Sequence, residues 1–553
     1  MLPYSGLSAP AFPTAVLPVD IRRFPWVKRL ATDYAFDHGR LASFFAGHPS
    51  DPAAWPQAIE RAQRHPRQRD ALTSLVQDQQ RRRGAPVEAI AAARQLRDPR
   101  AVAVVTGQQA GLFGGPLFTL FKALTAVRLA EHVHRTYDVP AIAVFWIDAE
   151  DHDWHEVRQC GVLDADLTPH AVTLGDPPGA HTAAVAQVRL DESAADAVTA
   201  LARLLPQTDF TADLLAGLRH AYQPGSGMAD AFGRWLDTLL GARGLVVFDS
   251  SDPAAKPIVA DLFAREIERA DTSRLAAEAG AALQSQGYHA QVEPADGSLA
   301  LFHLGTGREP IRLNADGTCT VGTREVSRAA LLQQVRDTPA AFSPGVLLRP
   351  LVQDTLFPTV CYVSGPSELA YLAQLRSVYD AFAVPMPLVH ERATATLLDA
   401  NAMRFLTRHG MPFEALRPRD ESALNDVLRT QLPASVDTAL EQATRTVTER
   451  MEALAASLTG LDPTLEGAAR STLSRMQDDL KRLQGKIIQA AKRKDDTLRR
   501  QFRHAQAQAF PGGEPQERQI GSVYFLNRYG PALIDRVIET LPAPIGTHYV
   551  MAM

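Results

Sequence analysis

Apolar positions along the chain fall into two rhythms. The first is short, unbroken and β-branched. "AVAVVTG" (101–107), "VPAIAVFWI" (139–147), "GLVVFDSSDP" (244–253) and "PTVCYVSG" (358–365) each run apolar for a few residues and end at Gly, Asp or Ser. Runs of this kind predict strands buried on both faces, as in a parallel sheet. "MPLVHERATATLLD" (386–399) predicts a further strand with Glu391 and Arg392 at its end. The second rhythm is helical. Leu117, Leu120, Phe121, Leu124, Val127 and Leu129 give 116–137 one apolar face, and Pro116 suits its first turn. Strand, glycine-rich loop, helix and strand over 101–147 make a βαβ unit.

Residues 1–100 read as helices with proline joints. Two stretches, about 157–243 and 254–345, interrupt the strand rhythm and read as insertions; "SLALFHLG" and "IRLNADGTCTV" place short strands in the second. From 436 the pattern changes. Val436, Leu440, Ala443, Val447, Met451, Leu454 and Leu458 alternate spacings of three and four, and Leu473, Met476, Leu480, Leu483 and Ile487 resume them after "GLDP". This predicts an antiparallel coiled-coil hairpin suited to dimerisation. The expected division is a core over 1–433, a coiled coil over 434–508 and a final segment, 509–553, returning to the core.

Composition narrows the class. The 553 residues are 46% apolar and 22% charged, with net charge −5, so no overall basic field exists to hold nucleic acid. No apolar run reaches the roughly 20 residues needed to cross a bilayer, and no signal peptide opens the chain. Cys160, Cys319 and Cys361 are scattered, without CxxC spacing, which fits a reducing cytoplasm.

Chemistry concentrates at the ends of the expected strands. The loop "TGQQAGLFGGP" follows a strand and opens a helix, where backbone N–H groups and the helix dipole favour an anion. It is neither a P-loop nor GxGxxG. Gly111, Gly114 and Gly115 allow close backbone approach, Thr106, Gln108 and Gln109 offer neutral hydrogen bonds, and Lys122 sits about two turns into the helix. "DAEDHDWHE" (148–156) follows the second strand. Glu150, Asp151, His152 and Asp153 admit three readings: metal ligands, with His155; proton transfer or substrate recognition; or a helix cap. "SGPSEL" repeats the strand-end theme with Ser364, Gly365, Ser367 and Glu368, and Arg349 and Gln353 stand upstream as polar groups in an apolar run. Arg349 is a candidate carboxylate or phosphate clamp. In "QERQIGSVYFLNRYG" the aromatics Tyr524, Phe525 and Tyr529 suit packing, whereas Arg518, Asn527 and Arg528 suit an anionic ligand.

Together, "TGQQAGLFGGPLFTLFKALTAVRLA", "VPAIAVFWIDAEDHDWHEV", "RPLVQDTLFPTVCYVSGPSELAYLAQL" and "QERQIGSVYFLNRYGPALID", in that order, resemble the bacillithiol biosynthesis cysteine-adding enzymes, a cysteine ligase family. The resemblance implies an α/β, Rossmann-like parallel-sheet core with inserted connecting regions, similar in outline to class I aminoacyl-tRNA synthetases, plus a coiled-coil arm and a homodimer. It implies a ligase that joins the carboxyl of L-cysteine to the amine of glucosaminyl-malate. It also implies association with an adenine nucleotide, ATP or ADP, for which Arg518, Tyr524, Asn527 and Arg528 are the candidates. No metal is expected. The catalytic candidates are then His152, Asp151, Glu150 and Asp153. Thr106, Gly107, Gln108, Gln109, Gly111, Gly115, Lys122, Arg349, Gln353, Ser364, Gly365, Glu368 and Arg392 are the substrate-binding candidates, with Arg349 and Arg392 facing malate. The sequence departs from the family pattern at "GLFGGP" and at "DAEDHDWHE", which sets Asp148 and His155 apart as local features. A nucleotide-sugar glycosyltransferase and a non-catalytic scaffold are the alternative readings.

Overall fold

A computed structural model describes residues 16–151, 153–305, 307–430, 434–458, 463–494, 496–541 and 544–553. The chain forms two compact units, 1–396 with 516–551, and 397–515 with 552–553.

The first unit is built on five parallel strands: β1 (Val102–Gln109), β2 (Ala141–Asp148), β3 (Val246–Asp249), β4 (Thr359–Ser364) and β5 (Leu388–Glu391). Their order is β5-β4-β1-β2-β3. The chain winds outward from β1 through β2 to β3, then returns to the other side of β1 for β4 and β5. That reversal puts a switch point between β1 and β4, the crevice where open α/β sheets bind ligands. Strands β1, β2 and β4 are buried almost throughout, which is why their sequences run apolar rather than alternating.

Helix α1 (Leu117–Tyr137) makes the crossover from β1 to β2, and its six predicted face residues are all buried. The expected final strand is divided. β5 stops at Glu391, and Thr394–Leu398 forms a separate strand. The break has a cause: Arg392 turns inward to Glu517, and the Ala393 N–H donates to Thr125 Oγ1 at 3.0 Å. Between β2 and β3 lie a hairpin (Gln159–Leu163 with Pro169–Thr173) and the helices Ser193–Leu204, Thr211–Ala221 and Met228–Leu240. Between β3 and β4 lie helices and a five-stranded antiparallel sheet. Helices α2 (Arg349–Leu356) and α3 (Pro366–Leu372) flank β4.

The C-terminal segment enters this unit beside the glycine loop. The Leu117 N–H donates to Ile520 O, and the Gly521 N–H to Gly161 O, each at 2.8 Å. Val16–Asp20 pairs antiparallel with the stretch beginning at Thr547.

In the second unit, Ala434–Leu458 packs against Pro463–Lys494. Gln477 donates to Thr448 Oγ1 at 3.1 Å, a contact between the middle parts of two helices consecutive in the chain, as an antiparallel hairpin makes. This unit begins at 397 rather than 434, because Ala400–His409 packs on Asp496–Ala509 and Ser422–Thr430 on the long second helix.

The seam at Gly161 is testable. A Cβ there would stand 1.8 Å from Gln519 O and force the backbone apart. Gly161→Ala is expected to lower the thermal midpoint by several degrees, or to abolish soluble expression, in a thermal unfolding comparison with the unaltered chain.

Candidate functional site at the sheet switch point

The glycine loop is fixed by local packing. Gly114 and Gly115 hold φ of +91° and +70°, and a Cβ on Gly111 would lie 2.9 Å from the Gly115 Cα. Its N–H groups are engaged within the protein. Gly111 donates to Gln109 O, Gly114 to Gly111 O and Tyr222 Oη, and Gly115 to Leu112 O. The buried Tyr222 hydroxyl donates in turn to Gly111 O at 3.2 Å. The expected anion cradle is therefore corrected at Gly111 and Gly115, whose donors are already taken. Thr106 is also internal: its buried hydroxyl donates to Val363 O at 2.9 Å and ties β1 to β4.

Beside this loop, above β1 and β4, opens a cavity of about 350 Å³. Gly107, Gln108, Gln109, Lys122, Asp151, Arg349, Gln353, Gly365, Glu368, Arg392 and Arg518 line it. Three segments distant in sequence are thus brought to one crevice, with Arg518 joining from the C-terminal segment. His152 lies outside the described residues.

Lys122 occupies the switch point. It is 2% exposed, and its Nζ donates to Gly107 O at 2.7 Å, to Gln108 Oε1 at 3.0 Å and to Glu368. Glu368 is saturated, since it also accepts from the Gly365 N–H and the Tyr362 hydroxyl, each at 2.7 Å. Burial pushes the Lys122 ammonium down and Glu368 opposes that shift. The two glutamines have separate tasks. Gln108 serves Lys122, while Gln109 donates to Asp151 Oδ2 at 3.0 Å and so joins the glycine loop to the acidic loop.

The acidic loop is matched by cations from elsewhere. Asp148 pairs with Arg349, and the buried Glu150 pairs with the buried Lys256. Asp151 lies 3.9 Å from Arg308 of the inserted sheet. Burial disfavours charge on Arg349, yet Asp148 together with Tyr371 and Tyr362 outweighs it and raises the guanidinium above its ordinary range. Burial pushes the carboxyl of Glu150 up against the pull of Lys256, and that of Glu156, a cavity residue, up with the help of Asp153. Two catalytic candidates stand back from the cavity: Glu150 is locked to Lys256, and Asp153 caps the helix Trp154–Val157 by accepting from the Glu156 N–H. Arg392 lines the cavity but is clamped by Glu517 through two bonds of 2.9 and 2.6 Å and lies over Phe118. It is a structural pillar of the cavity wall. Burial opposes the charge on Glu517, and Arg392 more than compensates, holding its carboxyl below the usual range.

Candidates for the nucleotide do not converge. Arg518 reaches the cavity. Asn527 is fully buried, held by Thr211 and by Pro206 O. Tyr524 is buried against Phe525 and accepts from Arg528. These three side chains are committed to packing, which leaves Arg518 as the member of the predicted set that lines the cavity. Among the described residues, no three His, Cys, Asp or Glu side chains group to hold a metal ion. Cys160 and Cys361 are buried, and burial pushes the Cys160 thiol up to about 12.

Several contributors escaped sequence reasoning. Asp148, set aside as a local feature, is the partner of Arg349. Tyr362, Tyr371, Tyr379 and Asp354 wall the deeper part of the cavity. Asp354 accepts from the Tyr379 hydroxyl at 2.5 Å, and burial pushes its carboxyl up to about 6. Trp146, just before the acidic run, also lines it. Lys256 and Arg308 carried no local signal.

A parallel sheet of order 3-2-1-4-5, a polar cavity at its switch point and a helical hairpin later in the chain define a Rossmann-like α/β protein with a coiled-coil domain. Residues 17–393 match the family described as the N-terminal Rossmann-like domain of bacillithiol biosynthesis BshC, and 395–553 match its C-terminal coiled-coil domain. A Salinibacter ruber protein named "Putative cysteine ligase BshC" is 36% identical over 95% of this chain and 96% of its own length. Proteins of the same name from Chlorobaculum tepidum (33%, over 86% of each chain) and Koribacter versatilis (32%, over 94% of this chain and 97% of its own) are similar. The chain belongs to the bacillithiol biosynthesis BshC family.

The Lys122–Glu368 pair sets an expectation for stability. Lys122→Met strands a carboxylate at the switch point and is expected to cost on the order of 3 kcal/mol in urea unfolding. The double variant Lys122→Met with Glu368→Gln is expected to recover part of that loss. A double variant no better than the single one would count against direct coupling.

Proposed function

We propose that this chain is a ligase that joins the carboxyl of L-cysteine to the amine of glucosaminyl-malate, forming the amide that completes bacillithiol. The observation that carries the reading is the switch-point cavity, which Asp151, Arg349 and Arg518 line together. Amide formation needs a neutral amine, a base to take its proton, and cations to hold carboxylates. Asp151 is the acceptor in this scheme. Its side chain is 31% exposed, enough to meet an amine, and Gln109 fixes its orientation. Arg349 and Arg518 hold substrate carboxylates. Lys122 and Glu368 keep the two strand-end loops in register, so the amine and the activated carboxyl meet at a fixed distance.

An adenine nucleotide enters as the reagent that would activate the cysteine carboxyl. The residues named here act on the two substrates being joined. The hairpin supports a homodimer: Leu454, Leu465, Met476 and Leu483 are 46, 38, 42 and 48% exposed, an apolar surface a second copy would cover. Three free cysteines support a reducing, cytoplasmic setting, and among the described residues no helix is long and apolar enough to cross a membrane.

The test is product analysis by mass spectrometry. Purified protein with L-cysteine, glucosaminyl-malate and ATP is expected to yield the mass of the cysteinyl amide. Asp151→Asn is expected to lower kcat by about 10²–10⁴ while leaving the fold intact. Undiminished turnover by that variant would remove Asp151 from the reaction.

A further inference from the structure

The carboxylates that line the cavity are Asp148, Asp151, Glu156, Asp354 and Glu368. Four of them have a partner that answers their charge. Asp148 pairs with Arg349, Glu368 with Lys122, Asp151 lies 3.9 Å from Arg308, and Asp354 accepts from the Tyr379 hydroxyl. Glu156 makes no ion pair among the described residues. Where the acidic loop borders the cavity, Asp148, Asp151 and Glu156 therefore stand against the two guanidinium groups of Arg349 and Arg308, and the acids are in excess.

The placement of Glu156 is held from two sides. Trp154 and Val157 are buried and anchor the short helix inward, and the Trp154 indole donates to Asp176 Oδ1 at 3.1 Å. Asp153 accepts the Glu156 N–H at 3.1 Å. The Glu156 side chain is left exposed, at the cavity. Gln109, at the end of β1, reaches it from the other side. Its Nε2 donates to Asp151 Oδ2 at 3.0 Å, and the same amide hydrogen-bonds Glu156. One amide nitrogen carries two N–H groups, so carboxylates that share it have oxygens within about 6 Å of each other, two hydrogen-bond lengths. Like charges held that close repel. Burial pushes the Glu156 carboxyl up, Asp153, Asp151 and Asp148 add to the rise, and Gln109 opposes it. A cation between Glu156 and Asp151 relieves that repulsion. The spacing suits a primary ammonium, whose three N–H groups reach two carboxylates at once.

We infer that Glu156 is a substrate-binding residue, which with Asp151 holds the primary ammonium of a substrate between two carboxylates oriented by Gln109. The inference deepens the ligase reading and rests on it for the identity of the substrate. Two sources share this chemistry: the amine of glucosaminyl-malate and the α-ammonium of L-cysteine. If the first sits there, Glu156 anchors the amine beside Asp151, which takes its proton before attack. If the second does, Glu156 fixes the end of cysteine next to the carboxyl that reacts.

Glu156→Gln and Glu156→Asp are compared with the unaltered protein, each first checked for an intact thermal transition. Glu156→Gln removes a charged acceptor and keeps the shape. It is expected to raise the KM of the substrate whose ammonium sits there about tenfold to a hundredfold, with a smaller change in kcat. The KM of the other substrate should stay within about twofold. Glu156→Asp keeps the charge and is expected to recover part of the loss. In the unaltered protein that KM should climb as pH falls and Glu156 takes up a proton, and Glu156→Gln should flatten the climb. A rise for glucosaminyl-malate assigns the attacking amine; a rise for L-cysteine assigns its α-ammonium. Calorimetric titration of each substrate reads the subsite without turnover. An inactive wild type that binds one of them, with binding weakened by Glu156→Gln, would sink the ligase reading and keep the subsite. An active wild type, with Glu156→Gln unchanged in KM for both substrates and in its pH profile, would overturn the subsite and leave the ligase reading standing. An inactive wild type that binds neither would overturn both.

Discussion

The site depends on one buried ammonium. Lys122 reaches from α1 across the gap between β1 and β4 to a backbone carbonyl, an amide and a carboxylate. A charge taken so far from water is unfavourable unless each of its protons finds an acceptor, and here each does. This fixes the carboxyl ends of the two central strands relative to each other. Everything that lines the cavity hangs from those two ends. The glycine loop continues β1, and the Gly365–Glu368 loop continues β4.

The same logic repeats around the rim. Several charges near the cavity meet an opposite charge from a different element: Asp148 with Arg349, Glu150 with Lys256, Arg392 with Glu517. A pocket balanced in this way has little net field of its own. It holds polar groups of either sign in fixed positions, which is what a reaction between an amine and a carboxyl requires. The pairs also separate support from chemistry. Glu150 and Arg392 are committed to partners and shape the walls, whereas Asp151, with Gln109 to orient it, remains accessible.

Sequence made the frame legible because the frame is local. Buried strands need unbroken apolar runs, and crossover helices need a periodic face, so β1, α1, β2, β3 and β4 stood out. The clustering of polar residues at strand ends located the crevice for the same reason. The ion pairs were invisible because they are long-range. Lys256 lies 106 positions from Glu150, and Glu517 lies 125 from Arg392. Nothing near Lys256 or Arg308 in the chain distinguishes them from surface charges. The break after Glu391 was hidden likewise, since the force that turns the chain there comes from Glu517 and Thr125.

The glycines show where motif reasoning reached its limit. A glycine-rich turn after a strand suggests an anion held by backbone donors, and that inference counts the donors without asking what occupies them. Gly111, Gly114 and Gly115 are glycines so that the turn can close on itself and against Tyr222, and their N–H groups are used in doing so. Gly107 precedes the turn, in a regular strand, with no unusual φ. Its missing side chain makes room for Trp146, whose Cδ1 lies 3.5 Å from where a Cβ would stand. The part of "TGQQAGLFGGP" that lines the cavity is thus its beginning, Gly107 to Gln109, rather than its end. The later glycines close the turn, and the first one lets Trp146 pack against the strand.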